Sequence, residues 1–260
     1  MPGLHPPGEG VAFQERILAM GGMGSGKTTG WLNIAWWSWK TKSDAHFYVI
    51  DSDAAAGRML VGDKFEMLDN VTVYNAFEWL SIRAATREFM PKVRPQDWIV
   101  VDFMGPCWDA VQKWYVEEIY GSEDMGEYFM EIRKNKAKGT SVKELEGWKD
   151  YGVINPNYKS WMNGLVHTSP AHLYITATTA GIRETDEKGL KQIFQAYGVR
   201  PVGQKHMAFA VHTVLLCQMM KPNEWFVSSV KDRERELLVA QPIKDFTRDY
   251  LVKIAGWKLA

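Results

Sequence analysis

The chain contains only two cysteines, Cys107 and Cys217. They lie far apart and lack the spacing of metal ligands, so the sequence predicts neither a disulfide nor a zinc site. No apolar run is long enough to span a membrane, and residues 1–10 carry proline and glycine where a signal peptide needs an apolar segment. We therefore expect a soluble protein in a reducing, cytoplasmic compartment.

An excess of charge of either sign is also missing. Lys and Arg together number 31, Asp and Glu together number 31, and the formal net charge is zero. A strong non-specific DNA binder usually has a positive field over its whole surface. The composition therefore disfavours a protein that coats duplex DNA, although local basic loops are compatible with this balance.

Apolar runs alternate with stretches of helical periodicity along the chain. Strands are predicted over residues 16–20, 46–50, 98–101 and 172–177, and helices over residues 28–39, 77–90, 108–120 and 157–167. Two later apolar segments, 207–219 and 225–230, are predicted as neighbouring strands. This order predicts an α/β fold with a mainly parallel central sheet flanked by helices and an antiparallel extension at one edge. We expect a flexible arm over residues 1–12 and a single domain over residues 13–260.

A phosphate-binding motif follows the first predicted strand. Residues 21–28 match G-x-x-x-x-G-K-[ST] at every fixed position, with the strand before and the helix after that the motif requires. Glycines allow backbone N–H groups to surround a β-phosphate, and the helix N-terminus adds its positive dipole. Lys27 is expected to reach the β- and γ-phosphates, and the Thr28 hydroxyl to bind Mg²⁺. The predicted nucleotide-binding residues are Gly21, Gly22, Met23, Gly24, Ser25, Gly26, Lys27, Thr28 and Thr29.

Asp102 is the second predicted ligand of the metal. It directly follows the apolar run at residues 98–101. In P-loop proteins the acidic residue that holds the water shell of the metal stands at the end of such a strand. Phe103 follows, where a water-activating Glu often stands, so the general base is expected elsewhere. Asp51 and Asp53, after the second strand, are the candidates.

At these residues the sequence resembles the RecA-like ATPases. Their P-loop ends in G-K-T-T, as residues 26–29 do, and their next strand ends in I-D-x-[DE], as residues 50–53 do. The resemblance implies that Asp53 polarises the attacking water, with Asp in place of the usual Glu. An Asp before three alanines is also a common helix cap, so both roles are open.

Two later features extend the resemblance. Thr178 follows the fourth strand, where RecA-like proteins place a polar sensor of the γ-phosphate. Lys231 and Arg233 stand where the family has a K-x-[KR] pair that reaches the γ-phosphate of a neighbouring subunit. Cations supplied in this way would stabilise the transferring phosphoryl group. A threonine-rich strand end also reflects β propensity, and residues 231–236 are equally typical of a solvated charge cluster.

The compact length is similar to that of small RecA-like ATPases encoded by bacteriophages, which are associated with single-strand annealing and recombination. The implied activity is Mg²⁺-dependent ATP hydrolysis by a homo-oligomeric ring or filament that acts on DNA, in the host cytoplasm. In RecA-like proteins two loops hold single-stranded DNA, and residues 133–149 and 182–205 correspond to them. The expected DNA contacts are Lys134, Lys136, Lys138, Arg183, Lys191 and Arg200, with Phe194 and Tyr197 available to stack bases. Both stretches also contain acids, so ordinary solvated loops are the alternative.

Three other functions share the phosphate site. A DNA-packaging or helicase-loading ATPase would more often have Glu after the metal Asp, and Phe103 argues against it. A nucleotide or small-molecule kinase needs an arginine-rich lid, for which Arg183 and Arg200 are a sparse set. A nucleotide-gated assembly protein would bind ATP with little turnover.

Overall fold

The computed structural model describes residues 4–5, 14–62, 64–122, 124–140, 144–145, 147–204, 206–233 and 235–259 of the chain. The strands are β1 (Leu4–His5), β2 (Arg16–Gly21), β3 (Phe47–Asp51), β4 (Val71–Asn75), β5 (Trp98–Asp102), β6 (His172–Ala177), β7 (Thr179–Gly181), β8 (Val199–Pro201), β9 (Thr213–Lys221), β10 (Glu224–Asp232), β11 (Gln241–Ile243) and β12 (Lys258–Leu259). The α-helices are α1 (Lys27–Lys40), α2 (Ala55–Leu60), α3 (Trp79–Phe89), α4 (Met104–Tyr120), α5 (Met125–Ala137), α6 (Gly147–Asn163), α7 (Lys188–Phe194) and α8 (Met207–Ala210). Short 3₁₀ turns occupy Met90–Lys92 and Gln195–Tyr197, and π-helical turns occupy Gly164–Thr168 and Thr247–Val252.

Within the described ranges, eight strands form the central sheet, in the order β11-β10-β9-β2-β6-β5-β3-β4. The neighbours from β9 through β4 pair in parallel, whereas β9–β10 and β10–β11 pair antiparallel. The prediction of an α/β fold with a mainly parallel sheet and an antiparallel extension at one edge is confirmed. β2 lies between β9 and β6, near the middle of the sheet. The loop that follows β2 is therefore at the centre of the sheet's carboxyl edge.

The sheet is covered on both faces because its central strands are apolar at successive positions. In β2, Leu18 and Met20 pack in the cluster that contains α3, α4 and α6, whereas Ile17 and Ala19 pack in the cluster that contains α1. All six residues of β2 are buried. The burial fixes this strand firmly, and with it the position of the phosphate loop that follows.

Several elements differ from the sequence prediction. The polar stretch 133–149 was expected as a loop, but its first residues end α5 and its last residues begin α6. The strand expected over residues 207–219 begins only at Thr213, because Met207–Ala210 forms the short helix α8. Leu4 and His5, inside the predicted arm, pair antiparallel with Leu259 and Lys258, and residues 1–3 and 6–12 of that arm lie outside the described residues.

Helices of the described ranges are all too short or too polar to cross a lipid bilayer.

Candidate nucleotide-binding site

The predicted phosphate loop joins β2 to α1 at the carboxyl edge of the sheet. Gly26 immediately precedes α1 with a φ of 87°, a left-handed conformation that favours glycine. Gly21 is confined by its neighbours, since a Cβ there would lie 2.2 Å from the Cys217 carbonyl oxygen. The loop therefore has the strand, turn and helix N-terminus that present backbone N–H groups to an anion.

Lys27 is folded back onto the loop. Its Nζ donates to the carbonyl oxygens of Gly21 at 3.0 Å and Gly22 at 2.7 Å. Burial lowers the pKa of Lys27, and the nearby Asp102 and Asp53 carboxylates partly oppose that shift. Its Nζ also donates to the Ser25 hydroxyl at 3.4 Å. All three partners are uncharged, so the ammonium can turn toward a phosphate without leaving a buried partner charge behind.

Asp102 ends β5 and is 2% exposed. Its Oδ2 accepts a hydrogen bond from Trp31 Nε1 at 2.9 Å, and its Oδ1 accepts one from the Thr176 hydroxyl. The Thr28 hydroxyl is a further partner. Burial raises the pKa of Asp102, while these donors lower it. The sequence thus folds so that the acid of β5 meets the hydroxyl at the start of α1.

Thr28 and Asp102 fit the ligand chemistry of Mg²⁺. A hydroxyl and a carboxylate oxygen lie in hydrogen-bond contact beside the phosphate loop. Magnesium in phosphate sites is bound by one or two such protein oxygens, with phosphate oxygens and waters completing the octahedron. These two side chains would hold the ion, directly or through its water shell, and the ion would supply positive charge that neutralises the phosphates.

Asp51 and Asp53 have different environments at the end of β3. Asp51 is fully buried, and its Oδ2 accepts from the backbone N–H groups of Ala56 and Gly57 at 3.1 and 3.3 Å. It therefore caps α2. Asp53 is exposed, and its Oδ1 accepts from Ala55 N at 3.1 Å. Partial desolvation in the cleft, with the neighbouring Asp102 and Asp51 carboxylates, raises the pKa of Asp53 to about 6.

The polar end of β6 contributes Thr176, which contacts Asp102 as described. Thr178, the residue expected to sense the γ-phosphate, follows β6 directly and accepts at its backbone carbonyl from Val202 N at 2.8 Å. Strand register puts Thr176 opposite Asp102 because Ile175 pairs with Val101 one residue earlier. Thr178 lies two residues further out on the same edge of the sheet.

Lys231 and Arg233 lie away from the phosphate loop of their own chain. Lys231 pairs with Val214, which pairs in turn with Leu18, three residues before Gly21. Its Nζ donates to the carbonyl oxygens of Ala208, Phe209 and Val211 at 2.9, 3.3 and 2.6 Å. The Arg233 guanidinium donates to Phe209 O at 3.2 Å. Within one chain this pair holds the end of α8 and does not join the phosphate site.

The basic residues expected to contact DNA are unequally available. Lys134, Lys136 and Lys138 are exposed at the carboxyl end of α5, and Lys136 forms an exposed ion pair with Glu144 at 2.7 Å. Arg183 is exposed, and the Lys191 ammonium donates to Glu184 O. Lys143 and Lys205, which also belong to the two stretches, lie outside the described residues.

Arg200 is held inside the protein. Its side chain is 11% exposed and forms a 2.8 Å ion pair with Asp186, whose side chain is 2% exposed. Asp186 Oδ2 also accepts from Arg183 N at 2.8 Å. These contacts fix the segment between β7 and β8, so the geometry favours a structural role for Arg200.

Three residues of the site belong to no sequence motif and were not predicted. Trp31 reaches Asp102 because it lies one helical turn after Thr28, a spacing that places both on one face of α1. Ser52 ties the strand ends together, since its Oγ donates to Phe103 O at 2.6 Å and accepts from Phe103 N at 2.9 Å. Trp225 donates from Nε1 to Gly24 O at 3.0 Å. The helical spacing could have indicated Trp31, whereas Trp225 comes from 201 residues away.

No protein-family model matches the chain, and comparison with curated proteins finds no similar sequence. Among solved structures, the KaiC-like protein PH0186 from the hyperthermophilic archaeon Pyrococcus horikoshii OT3 has a similar backbone, with 13% identity over 87% of this chain and 84% of that chain and a TM-score of 0.48. A likeness of this degree indicates neither the activity nor the assembly of this chain. What the residues can do therefore follows from the geometry at the carboxyl edge of the sheet.

Proposed function

We propose that the protein is a Mg²⁺-dependent ATPase of the RecA-like type. The observation that carries the proposal is the convergence of Lys27, Thr28, Asp102 and Asp53 at one edge of the sheet, on the loop, helix and strand ends that P-loop chemistry requires. Lys27 and the loop N–H groups would hold the β- and γ-phosphates. Thr28 and Asp102 would hold Mg²⁺.

Asp53 is the proposed general base. Its carboxylate is exposed at the mouth of the site, and its raised pKa makes it a better proton acceptor than an ordinary aspartate. Asp51 is excluded from this role by its contacts with the N–H groups of α2. Thr178 is retained as the proposed sensor of the γ-phosphate.

Substitution of the two site residues tests the proposal. We expect Lys27→Ala to lower the ATP turnover of the purified protein by about 100-fold or more, since it removes a preorganised cation. Asp53→Asn is expected to lower kcat by roughly 100-fold or more with nucleotide affinity retained. Asp69→Asn, on an exposed surface acid, is the matched control. Unchanged turnover in Asp53→Asn would remove Asp53 as the base.

We further propose that the active form is a homo-oligomer that acts on single-stranded DNA, in phage-type recombination, annealing or replication. The position of Lys231 and Arg233 supports assembly, because a pair that lies away from its own phosphate loop could contact a γ-phosphate only at the site of a neighbour. The exposed lysines at the end of α5, which are Lys134, Lys136 and Lys138, support contact with phosphates. In the second segment, the exposed Arg183 and the half-buried Lys191 are the proposed contacts.

Turnover measured against protein concentration, with and without an unstructured single-stranded oligonucleotide, tests assembly and DNA action together. We expect turnover per chain to rise with concentration and to rise again with DNA. The triple variant Lys134→Ala, Lys136→Ala and Lys138→Ala should reduce the slope of log affinity against log salt by ~0.7 for each lost phosphate contact. Lys258→Ala, an exposed lysine on β12, is the control. Turnover that is independent of concentration and of DNA would contradict this part and favour a kinase or an assembly protein.

A further inference from the structure

A cavity of about 160 Å³ opens beside the phosphate loop, between α1 and the antiparallel edge of the sheet. One wall is a single face of α1, made by Gly26, Thr29, Gly30 and Asn33. Their spacing of three or four residues places them in a line along the first two turns of the helix. The cavity thus begins at the phosphate loop and runs along the helix away from it.

The opposite wall is apolar and comes from the last strands of the sheet. Cys217, Trp225, Val227 and Ile243 line it, and Phe246 lies beyond them. Cys217 pairs with Val227 and Trp225 pairs with Ile243 across the strands, so these side chains share one face. Lys244 is the charged residue among those that line the cavity.

Trp225 joins this wall to the phosphate loop. Its Nε1 donates to Gly24 O at 3.0 Å, and its ring packs against Gly26, where a Cβ would lie 3.5 Å from the indole Cδ1. The indole is half-buried, so part of it stays open to the cavity. A flat aromatic surface is therefore fixed at the point where the phosphate site ends.

The ligand expected at the phosphate loop indicates what would occupy the cavity. Ser25 and Gly26 of the loop line the cavity together with Thr29, so a ligand anchored by a triphosphate at the loop would extend into this space. The space is close to that of an apolar protein cavity of ~150 Å³ that accepts benzene. A flat aromatic group joined to a triphosphate by a short polar linker describes a nucleoside triphosphate.

We propose that this cavity holds the nucleobase of the bound nucleotide, stacked on Trp225; the inference rests on the proposed binding of phosphate at residues 21–28. The polar atoms of Asn33 are engaged, because its Nδ2 donates to Thr29 O at 2.8 Å and its Oδ1 accepts from Lys64 Nζ at 2.6 Å. The base is consequently selected by its flat shape and stacking area. Purine nucleotides bind more tightly than pyrimidine nucleotides.

Calorimetric titration of Mg-ATP and of magnesium tripolyphosphate separates the base from the phosphates. The wild-type protein is expected to bind ATP more tightly than tripolyphosphate. Trp225→Phe and Trp225→Ala both lose the hydrogen bond to Gly24 O, so the two variants should bind tripolyphosphate equally well. Trp225→Ala should bind ATP roughly 10-fold or more weakly than Trp225→Phe, as expected for loss of a base-stacking ring. Trp225→Phe keeps a ring and should retain most of the ATP affinity.

Two further variants guard against a folding effect. Ile243→Trp fills the cavity from the edge strand and should weaken the binding of ATP but not that of tripolyphosphate. Trp114→Ala, in α4 on the opposite face of the sheet, should leave the binding of both ligands unchanged. Equal loss of both ligands in Trp225→Ala relative to Trp225→Phe, or no loss of either, overturns the base site. Wild-type binding of tripolyphosphate with no gain from the nucleoside also overturns the base site alone. Binding of neither ligand overturns the proposed function, and the base site with it.

Discussion

The carboxylate of Asp102 lies inside the protein and accepts hydrogen bonds from Trp31 and Thr176. These bonds stabilise the folded chain whether or not a nucleotide is present, and the negative charge is what a metal ion would use. An amide of the same shape keeps an acceptor oxygen and removes the charge. The structural and chemical contributions of this residue can therefore be measured separately.

We expect Asp102→Asn to abolish Mg²⁺-dependent turnover and to lower the free energy of unfolding by no more than about 1 kcal/mol. Asp102→Ala should cost about 2–3 kcal/mol, because it leaves the buried donors of Trp31 and Thr176 without an acceptor. Urea denaturation and ATP hydrolysis of the two variants check this prediction. Equal stability of both variants would contradict it.

His172 is a buried histidine held neutral. Its Nδ1 accepts from Glu15 N at 3.0 Å, and its ring stacks on Trp98 at 4.7 Å between centroids. Burial, with a further contribution from the Arg16 charge, lowers the pKa of His172 to about 3. The unfolded chain takes up a proton near pH 6.5 and the folded chain does so only near pH 3, so stability is lost as the pH falls through that interval.

As the pH falls from 7.5 to 5, protonation of this histidine in the unfolded chain should lower the free energy of unfolding by about 2 kcal/mol. His172→Asn keeps an acceptor for Glu15 N and should flatten that part of the pH profile. His167→Gln, at an exposed histidine, should leave the profile unchanged. Urea denaturation at a series of pH values makes the comparison, and an unaltered slope in His172→Asn would contradict the assignment.

At the scale of elements, the end of α8 depends on one lysine. This helix has four residues, and Lys231 from β10 donates to three carbonyl oxygens at or after its last turn. Carbonyl groups at a helix end lack intrahelical partners, so a cation there supplies the missing hydrogen bonds. The neighbouring Arg233 is exposed and makes one such contact at 3.2 Å.

Lys231→Met is expected to lower the free energy of unfolding by about 1–3 kcal/mol, because buried carbonyl groups lose their donor. Arg233→Met should have a much smaller effect on stability. If the pair also serves a neighbouring subunit, both variants lose turnover at protein concentrations where the wild type is assembled. Thermal melts and concentration-dependent ATPase assays distinguish the two contributions.

Sequence patterns located these parallel strands well because β2, β3, β5 and β6 each contain a short apolar run bounded by polar residues or glycine. The edge strand β4 was missed, since its VTVYN sequence is half-buried and carries a weak signal. The turn between β2 and α1 was predictable because its motif is local, and the position of Asp102 was predictable because it ends an apolar strand. Trp225 was not, since its contact with Gly24 depends on the antiparallel edge of the sheet folding back beside α1.

At the scale of the whole molecule, Glu15 forms hydrogen bonds with residues that are distant in sequence. Its Oε1 accepts from Arg235 at 2.6 Å and from Trp257 Nε1 at 2.9 Å, while its backbone donates to His172. Burial raises the pKa of Glu15, and the Arg235 guanidinium opposes that shift. The Trp257 ring also stacks beside Trp98, with 5.6 Å between ring centroids. Segments near both ends of the sequence are thus fixed to the base of the sheet.

We expect Trp257→Ala to cost about 3–5 kcal/mol, since it opens a cavity against Trp98 and leaves Glu15 with one donor fewer. Trp257→Phe should cost less because a ring remains. Trp39→Ala, at a half-buried tryptophan of α1, provides a control of the same chemical change. Differential scanning calorimetry measures all three, and a similar loss in Trp39→Ala and Trp257→Ala would contradict the assignment.

The pairing of β1 with β12 has a consequence for protein engineering. Leu4 pairs with Leu259, and Cα atoms of directly opposed antiparallel residues lie ~5 Å apart. A short glycine linker could therefore join the two strands without disturbing the sheet. New termini placed at the exposed turn of Gly139 and Thr140 would give a circular permutant that keeps every residue of the phosphate site on unbroken strands and helices.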